Sequence, residues 1–456
     1  MKDSSMCRVL VLGLKRTGQS VLRFYQPQVE AQEVLLAGYA EVIPDEERAQ
    51  LAQAFPLVFF YSGNLNEVLL NNTFDLVVLS PGFSLYRAEL QAFIHRGGKV
   101  TGDIQLWLDH IRKPQEKVLA ITGSNGKSTV TELVSFFCRQ SGLKTVTAGN
   151  IGLPVLDVRN LVQDSVDVWV LELSSFQLET IEHLAADVAV CLNVSDDHLD
   201  RYKDRLDYTQ HKAKIFNGAK IQVLNWDDAM CRAMQRKECR TKWFSAREKT
   251  DYWISSQDGL TLMHRDEPMI SMGEVCLQGQ HNALNILAAL GLGSSLGIQH
   301  TTMLEVLPFF RGLAHRTQKI GSLNAVDFID DSKATNVAAT VAALEGAPGR
   351  VFLIAGGEGK DQDFTLLKNT VEERVDGLFL IGKAAQLIAE LFVDSRIRPI
   401  FCNSLPEATK RAYEASTPGS WVLLSPACAS TDMFRDYAHR SEIFAKTFRE
   451  LSSGES

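Results

Sequence analysis

Short apolar runs separated by stretches with helical spacing recur along the whole chain. Buried-strand patterns stand at residues 8–12 and 76–79, at 118–122, 168–173 and 188–192, and at 326–329, 351–354, 378–381 and 421–424. Strands alternating with helix-length segments predict βαβ units and mostly parallel sheets. The pattern changes at Gly102-Asp103, with Pro114 just beyond, and again at Arg311-Gly312. These breaks divide the chain into 1–102, 103–312 and 313–456. Between about 240 and 278 the spacing predicts short strands joined by turns, followed by an Ala- and Leu-rich helix near 282–296. The expected fold is α/β in three domains, the outer two doubly wound and Rossmann-like, the central one mostly parallel with a small extra β region. No repeat or low-complexity stretch interrupts this, and residues 452–456 are expected to fray.

Composition narrows the function classes. The chain has 456 residues, a length suited to about three domains. Its 22% charged and 45% hydrophobic content is that of a globular protein. With 47 basic and 55 acidic residues the net charge is −8, which argues against broad nucleic-acid binding but leaves room for a local basic pocket. No apolar run approaches the roughly 20 residues of a membrane helix. The first apolar stretch, preceded by Asp3 and broken by Lys15 and Arg16, is too short for a signal peptide. The eight cysteines are scattered without a CxxC pair, so neither a disulfide framework nor a zinc finger is expected. A reduced cytoplasmic compartment is the expected setting, with small-molecule partners, no nucleic acid, no membrane and a monomeric chain.

The strongest chemical signal is Thr122-Gly123-Ser124-Asn125-Gly126-Lys127-Ser128-Thr129, after a strand and opening a helix. Glycines there let backbone N–H groups face phosphate oxygens, Lys127 can reach the β- and γ-phosphates, and Ser128 can ligate Mg²⁺. This makes the central domain P-loop ATPase-like. The loop is shorter than the usual motif, with Ile121 where the first glycine would lie; an ordinary turn with a surface lysine is the plainer alternative. Glu172 and His198 each stand at the end of a predicted strand, where ligands of open α/β sheets bind. Alone, each would more often be structural. Together they could join the loop in one Mg²⁺ and phosphate cleft.

Gly123 to Ser128, Leu173-Ser174-Ser175-Phe176-Gln177-Leu178-Glu179, and Asn193 with Asp197-His198 resemble the Mur ligases, ATP-dependent amide-forming enzymes of peptidoglycan precursor synthesis. Asp331-Ser332-Lys333-Ala334-Thr335-Asn336 and Ser425-Pro426-Ala427-Cys428-Ala429-Ser430 resemble the members that add D-glutamate to UDP-N-acetylmuramoyl-L-alanine. The resemblance implies roles position by position. Gly123, Ser124, Asn125, Gly126, Lys127, Ser128 and Thr129 would hold ATP phosphates, Asn282 and Asn285 the base, Arg316 a phosphate and Asp331 the ribose. Ser128, Glu172, His198 and Lys212 would hold Mg²⁺, with Lys212 carbamylated; Lys127, His198 and Lys212 would be catalytic. Arg16, Thr17, Ser80, Pro81, Gly82, Asn150 and His198 would contact the UDP substrate. Lys333, Thr335, Lys360, Ser430 and Tyr437 would hold D-glutamate.

Plainer readings stand beside these: a solvated charge for Lys212, N-capping for Asn282 and Asn285, a turn or cap for Asp331, a surface charge for Lys360. The chain also departs from the family. Lys15 stands where relatives usually carry glycine, Ala37-Gly38-Tyr39 where they place an Asp, and Tyr437 where Phe is frequent. The alternatives are a ligase of the same family adding another amino acid, a P-loop NTPase driving a partner, and a binding protein that keeps the fold without catalysis.

Overall fold

The computed structural model describes residues 6–161, 165–195, 197, 201–257, 259–277, 279–313, 315–359 and 362–454. Among them three sheets form, one in each third of the chain. The first holds β1 (Cys7–Leu12), β2 (Val34–Tyr39), β3 (Phe59–Tyr61), β4 (Leu76–Leu79) and β5 (Lys99–Gly102), all parallel, in the order β3-β2-β1-β4-β5. The turn from β1 into helix Arg16–Glu30 is very tight. Gly13 takes φ +90°, and a Cβ on Gly18 would stand 1.7 Å from the Gly13 carbonyl oxygen. Only glycine fits the second position.

The central sheet holds β6 (Lys117–Thr122), β7 (Thr145–Gly149), β8 (Val168–Glu172), β9 (Val188–Cys191), β10 (Ile221–Asn225), β11 (Arg240–Ser245), β12 (Tyr252–Ser255), β13 (Thr261–His264) and β14 (Glu267–Ser271). Their order is β14-β13-β12-β11-β10-β9-β6-β8-β7. It is parallel from β7 across to β12; the short strands expected after 240 extend it, β13 and β14 as an antiparallel edge. Helix Gln280–Leu296 is apolar nearly all round. It packs against the sheet and against helix Lys127–Gln140, so its middle is fully buried.

The last sheet holds β15 (Gln318–Leu323), β16 (Val326–Asp330), β17 (Val351–Gly356), β18 (Val375–Ile381), β19 (Ile400–Phe401) and β20 (Trp421–Leu424), in the order β15-β16-β20-β17-β18-β19. Only the β15–β16 pairing is antiparallel. The expectation of a frayed tail is corrected at Ser452 and Ser453. Both belong to helix Tyr437–Ser453, which Gly454 ends at φ +74°.

Helix Asp103–His110, which follows β5, is fastened to the central domain. Trp107 meets Trp169 of β8 edge-on at 4.9 Å between ring centroids, and both rings are fully buried. Truncation there removes two neighbours' packing and leaves a cavity. Trp107→Ala is expected to lose about 3–5 kcal/mol in urea unfolding; a loss under about 1 kcal/mol would mean that the site collapses around the smaller side chain.

Candidate active site

Strand β6 delivers the glycine loop to its C-terminal edge. Thr122 Oγ1 donates to the Leu173 carbonyl at 2.8 Å, tying β6 to the segment after β8. Gly123 and Gly126 take φ +153° and +82°, so the chain can turn its amides inward. The loop is clamped by Asn193, just beyond β9. The Ser124 and Asn125 amides donate to the Asn193 carbonyl at 2.9 Å and its Oδ1 at 2.8 Å, and Asn193 Nδ2 donates back to the Asn125 carbonyl at 3.1 Å. Lys127 curls over its own loop, donating to the Gly123 and Ser124 carbonyls at 2.7 and 2.8 Å.

Four cationic side chains converge here. Lys212, on helix Arg205–Ala213, is 1% exposed, which overturns the solvated-charge alternative. Its Nζ donates to the Gly123 carbonyl at 3.0 Å and lies 4.4 Å from the centre of the Tyr208 ring. The Tyr208 and Ser124 hydroxyls share a hydrogen bond of 3.2 Å. Arg316 Nη2 and Lys333 Nζ reach in from the C-terminal domain, donating to Ser128 Oγ at 3.2 and 3.3 Å. Burial pushes Lys212 down to about 8. Burial and then the Arg316 charge push Lys333 to about 8. Burial and the Lys212 charge lower Lys127; burial lowers Arg316.

Against these stands Glu172, at the end of β8 and 1% exposed. Its Oε1 accepts from Asn150 Nδ2 at 2.9 Å, and its Oε2 is buried without a hydrogen-bond partner among the described residues. A buried carboxylate oxygen left open suits a hard cation, so the residues present fit Mg²⁺. Asp197 accepts from Asn336 Nδ2 at 3.3 Å.

A cavity opens beside the loop, lined by Asn125, Gly126, Thr129, Asn193, Asn282, Asn285, Arg316 and Asp331 among others. The plainer alternative of N-capping does not hold for Asn282 or Asn285, because Gly279 takes the cap position of Gln280–Leu296. Both asparagines face the cavity instead. Asp331 accepts from Ser425 Oγ at 2.7 Å and from the Thr317 amide at 3.0 Å, and burial raises its carboxyl to about 7. Asn125 and Asn336 exchange amide bonds of 3.3 and 3.2 Å across the two domains.

The other sequence-derived residues fall into two groups. Ser80, Pro81 and Gly82 follow β4, and Ser80 Oγ donates to the Gly13 carbonyl at 3.0 Å. Arg16 is exposed and Thr17 half-buried at the start of the first helix. Asn150, expected on the UDP side, turns its amide to Glu172. Lys333 lies 5.0 Å from the Tyr437 ring centre, Ser430 is buried and Thr335 half-buried. His198 and Lys360 lie outside the described residues. Sequence reasoning gave no role to Asn193, Asp197, Glu179, Asn336 or Arg201. The first four stand inside motifs already quoted, and their polar character at strand or helix ends was the available signal.

The chain belongs to the Mur ligase family. Residues 7–102 match the Mur ligase MurD-like N-terminal domain, 121–293 the Mur ligase middle domain and 315–428 the Mur ligase glutamate ligase domain. The UDP-N-acetylmuramoylalanine--D-glutamate ligases of Chromobacterium violaceum and Methylobacillus flagellatus are 45% and 43% identical to it, each over 98% of both chains. Among solved structures, UDP-N-acetylmuramate-alanine ligase MurC of Thermotoga maritima superposes with a TM-score of 0.61 at 17% identity, over 98% of this chain and 100% of that one. MurF ligase of Thermotoga maritima, in complex with ADP, gives 0.59 at 16%, over 99% and 100%. These two structures share the three-domain α/β fold.

Lys212 generates a pH signature. Its folded value of about 8 lies below the ordinary 10.5, so the unfolded chain keeps its proton between those values while the folded chain sheds it. Stability therefore rises with pH through that window. In carbonate-free buffer, Lys212→Met is expected to be more stable than the parent by about 1–3 kcal/mol at pH 7, with the gain shrinking toward pH 10. A gain that is flat from pH 7 to 10 would show that Lys212 does not shed its proton in this window.

Proposed function

We propose that this protein is the ATP-dependent ligase that joins D-glutamate to UDP-N-acetylmuramoyl-L-alanine in peptidoglycan precursor synthesis, acting in the cytoplasm as a monomer. The observation that carries the reading is the cluster of Lys127, Arg316 and Lys333 around Ser128 and the loop carbonyls, beside Lys212 and the open carboxylate oxygen of Glu172. So much positive charge at a glycine loop suits a polyphosphate. The 45% identity over 98% of the C. violaceum D-glutamate ligase supports the same substrate pair.

In this reading residues 1–102 bind the UDP substrate, 103–312 ATP and 313–456 the amino acid. A carboxylate oxygen of the UDP substrate attacks the γ-phosphorus of ATP, releasing ADP and giving an acyl phosphate. The amine of D-glutamate attacks the acyl carbon, inorganic phosphate leaves, and the nitrogen gives up a proton. Lys127 swings from its own loop carbonyls to the γ-phosphate oxygens, and Arg316 and Lys333 stabilise the same charge from the other domain. Asn282 and Asn285 face the base, and Asp331 the ribose. Arg16, Thr17, Ser80, Pro81 and Gly82 cradle the UDP diphosphate and sugar, with Asn150. Thr335, Ser430, Tyr437 and Lys360 hold D-glutamate.

Ser128, Glu172, His198 and Lys212 are the residues that would hold Mg²⁺, which when bound neutralises oxygens of the transferring phosphoryl group. Lys212 suits carbamylation, because burial keeps a fraction of its amine neutral near pH 8 and a neutral amine is what CO₂ takes. Lys214 is anchored elsewhere, donating to the Glu179 carbonyl at 2.7 Å.

Phosphate release tests the reading. The protein with ATP and UDP-N-acetylmuramoyl-L-alanine is expected to release phosphate with D-glutamate and far less with L-glutamate, L-lysine or D-alanine. Lys127→Ala should lose roughly 10²–10³-fold or more of the rate. Equal rates with L-glutamate move the chain to another branch of the family, and release that needs neither small substrate turns it into a partner-driving NTPase. Lys212→Ala is expected to be nearly inactive and to regain part of its rate in millimolar acetate or propionate, whose carboxylate fills the vacated place. Full activity in that variant would remove Lys212 from the chemistry.

A further inference from the structure

Arg201 is one of the groups that link the N-terminal and central domains; Arg23 on the first helix pairs with Asp157 at another place. Arg201 Nε donates to Glu179 Oε1 at 2.9 Å and Nη2 to Oε2 at 2.7 Å, a two-pronged pair whose side chains are 10% and 1% exposed. The same group donates from Nη1 to the Pro81 carbonyl at 2.6 Å and from Nη2 to the Phe83 carbonyl at 2.9 Å. Its Cζ lies 3.9 Å from the centre of the Phe176 ring. Tyr202 Oη completes the carboxylate's shell, donating to Glu179 Oε1 at 2.8 Å.

Both ends of this link lead to the candidate site. Glu179 ends helix Ser175–Glu179, whose capping box of Ser174 and Gln177 fastens it two residues beyond Glu172. The Pro81 and Phe83 carbonyls belong to the turn that Ser80 pins to Gly13 from the other side. Five planar N–H donors can serve a carboxylate and two carbonyls together; a lysine ammonium cannot span that set.

We propose that Arg201 is a positioning residue, which with Glu179 holds the turn at residues 80–83 at a fixed place relative to Glu172 and the glycine loop, so that the carboxylate of the bound nucleotide-sugar substrate meets the γ-phosphate. The substrate role rests on the ligase reading above; the mechanical role does not. Loss of the fork frees the turn and weakens the grip on the nucleotide sugar, while the ATP cavity, built by the central and C-terminal domains, keeps its shape.

Two variants of the full chain test this. Arg201→Lys keeps the charge and loses the fork. Because removing one partner strands a buried charge, Arg201→Met combined with Glu179→Gln removes the charge of both. In each, the KM for UDP-N-acetylmuramoyl-L-alanine is expected to rise at least tenfold with the KM for ATP within twofold. Amide hydrogen exchange is expected to quicken at residues 80–87 and to stay unchanged at 123–130. A general loss of stability would instead raise both KM values together and quicken exchange in both segments, and that result overturns the proposal, as does unchanged exchange at 80–87. If the parent protein releases no phosphate with these substrates, the ligase reading falls, and the exchange measurement alone decides the role of Arg201.

Discussion

Positive charge gathered at one loop is the constraint on which the rest of the site depends. Lys127, Lys212, Arg316 and Lys333 meet at the Gly123 carbonyl and the Ser128 hydroxyl, with Lys212 buried and the others half-buried. Cations withdrawn from water without matching anions raise the free energy of the fold. The nearby carboxylates Glu172 and Asp197 offset only part of this, since burial still lowers Lys127, Lys212, Arg316 and Lys333, and Glu172 keeps one oxygen open. An incoming polyphosphate would relieve the crowded positive charge, and a divalent cation would take up the open oxygen of Glu172. Two of the four cations come from the central domain and two from the C-terminal domain, so binding of such a ligand favours the arrangement in which these domains meet.

The loop that carries this charge is held by neighbours on three sides. Asn193 fixes its backbone from β9, Asn285 lies where any side chain on Gly126 would clash, and Asn336 meets Asn125 from the C-terminal domain. Preorganised donors of this kind lose little free energy to rearrangement when charge develops in front of them. An apolar cluster that runs through both domains, and the Arg201–Glu179 pair with its bonds to Pro81 and Phe83, tie the N-terminal domain to the same frame. Apolar packing supplies the adhesion there and the ion pair supplies the register.

Much of this was legible in the sequence. Apolar runs gave the strands that carry the site, with β4 and β20 placed at their observed ends and β6, β8 and β9 within one residue. The glycine loop announced itself because its chemistry is contiguous: glycines, a lysine and a hydroxyl within eight residues. Several of the strands not singled out are of another kind, although β10 is a largely buried five-residue run without glycine. β3 and β19 are three and two residues long, and β2 and β7 contain glycine. Their pairing comes from neighbours already in the sheet rather than from their own propensity.

What the sequence alone determined, then, is the alternation of strand and helix, the three-part division as an expectation, and every motif whose parts are adjacent in the chain. Burial of Lys212, the open oxygen on Glu172, the turn of Asn150 toward it and the approach of Arg316 and Lys333 to Ser128 were decided by tertiary structure only. The fork of Arg201 spans 22 residues to Glu179 and 120 to Pro81. The reason is physical: hydrophobic periodicity is a local property read residue by residue, whereas the charge on a lysine or the partner of an arginine depends on which distant segments the closed sheets bring within hydrogen-bond reach.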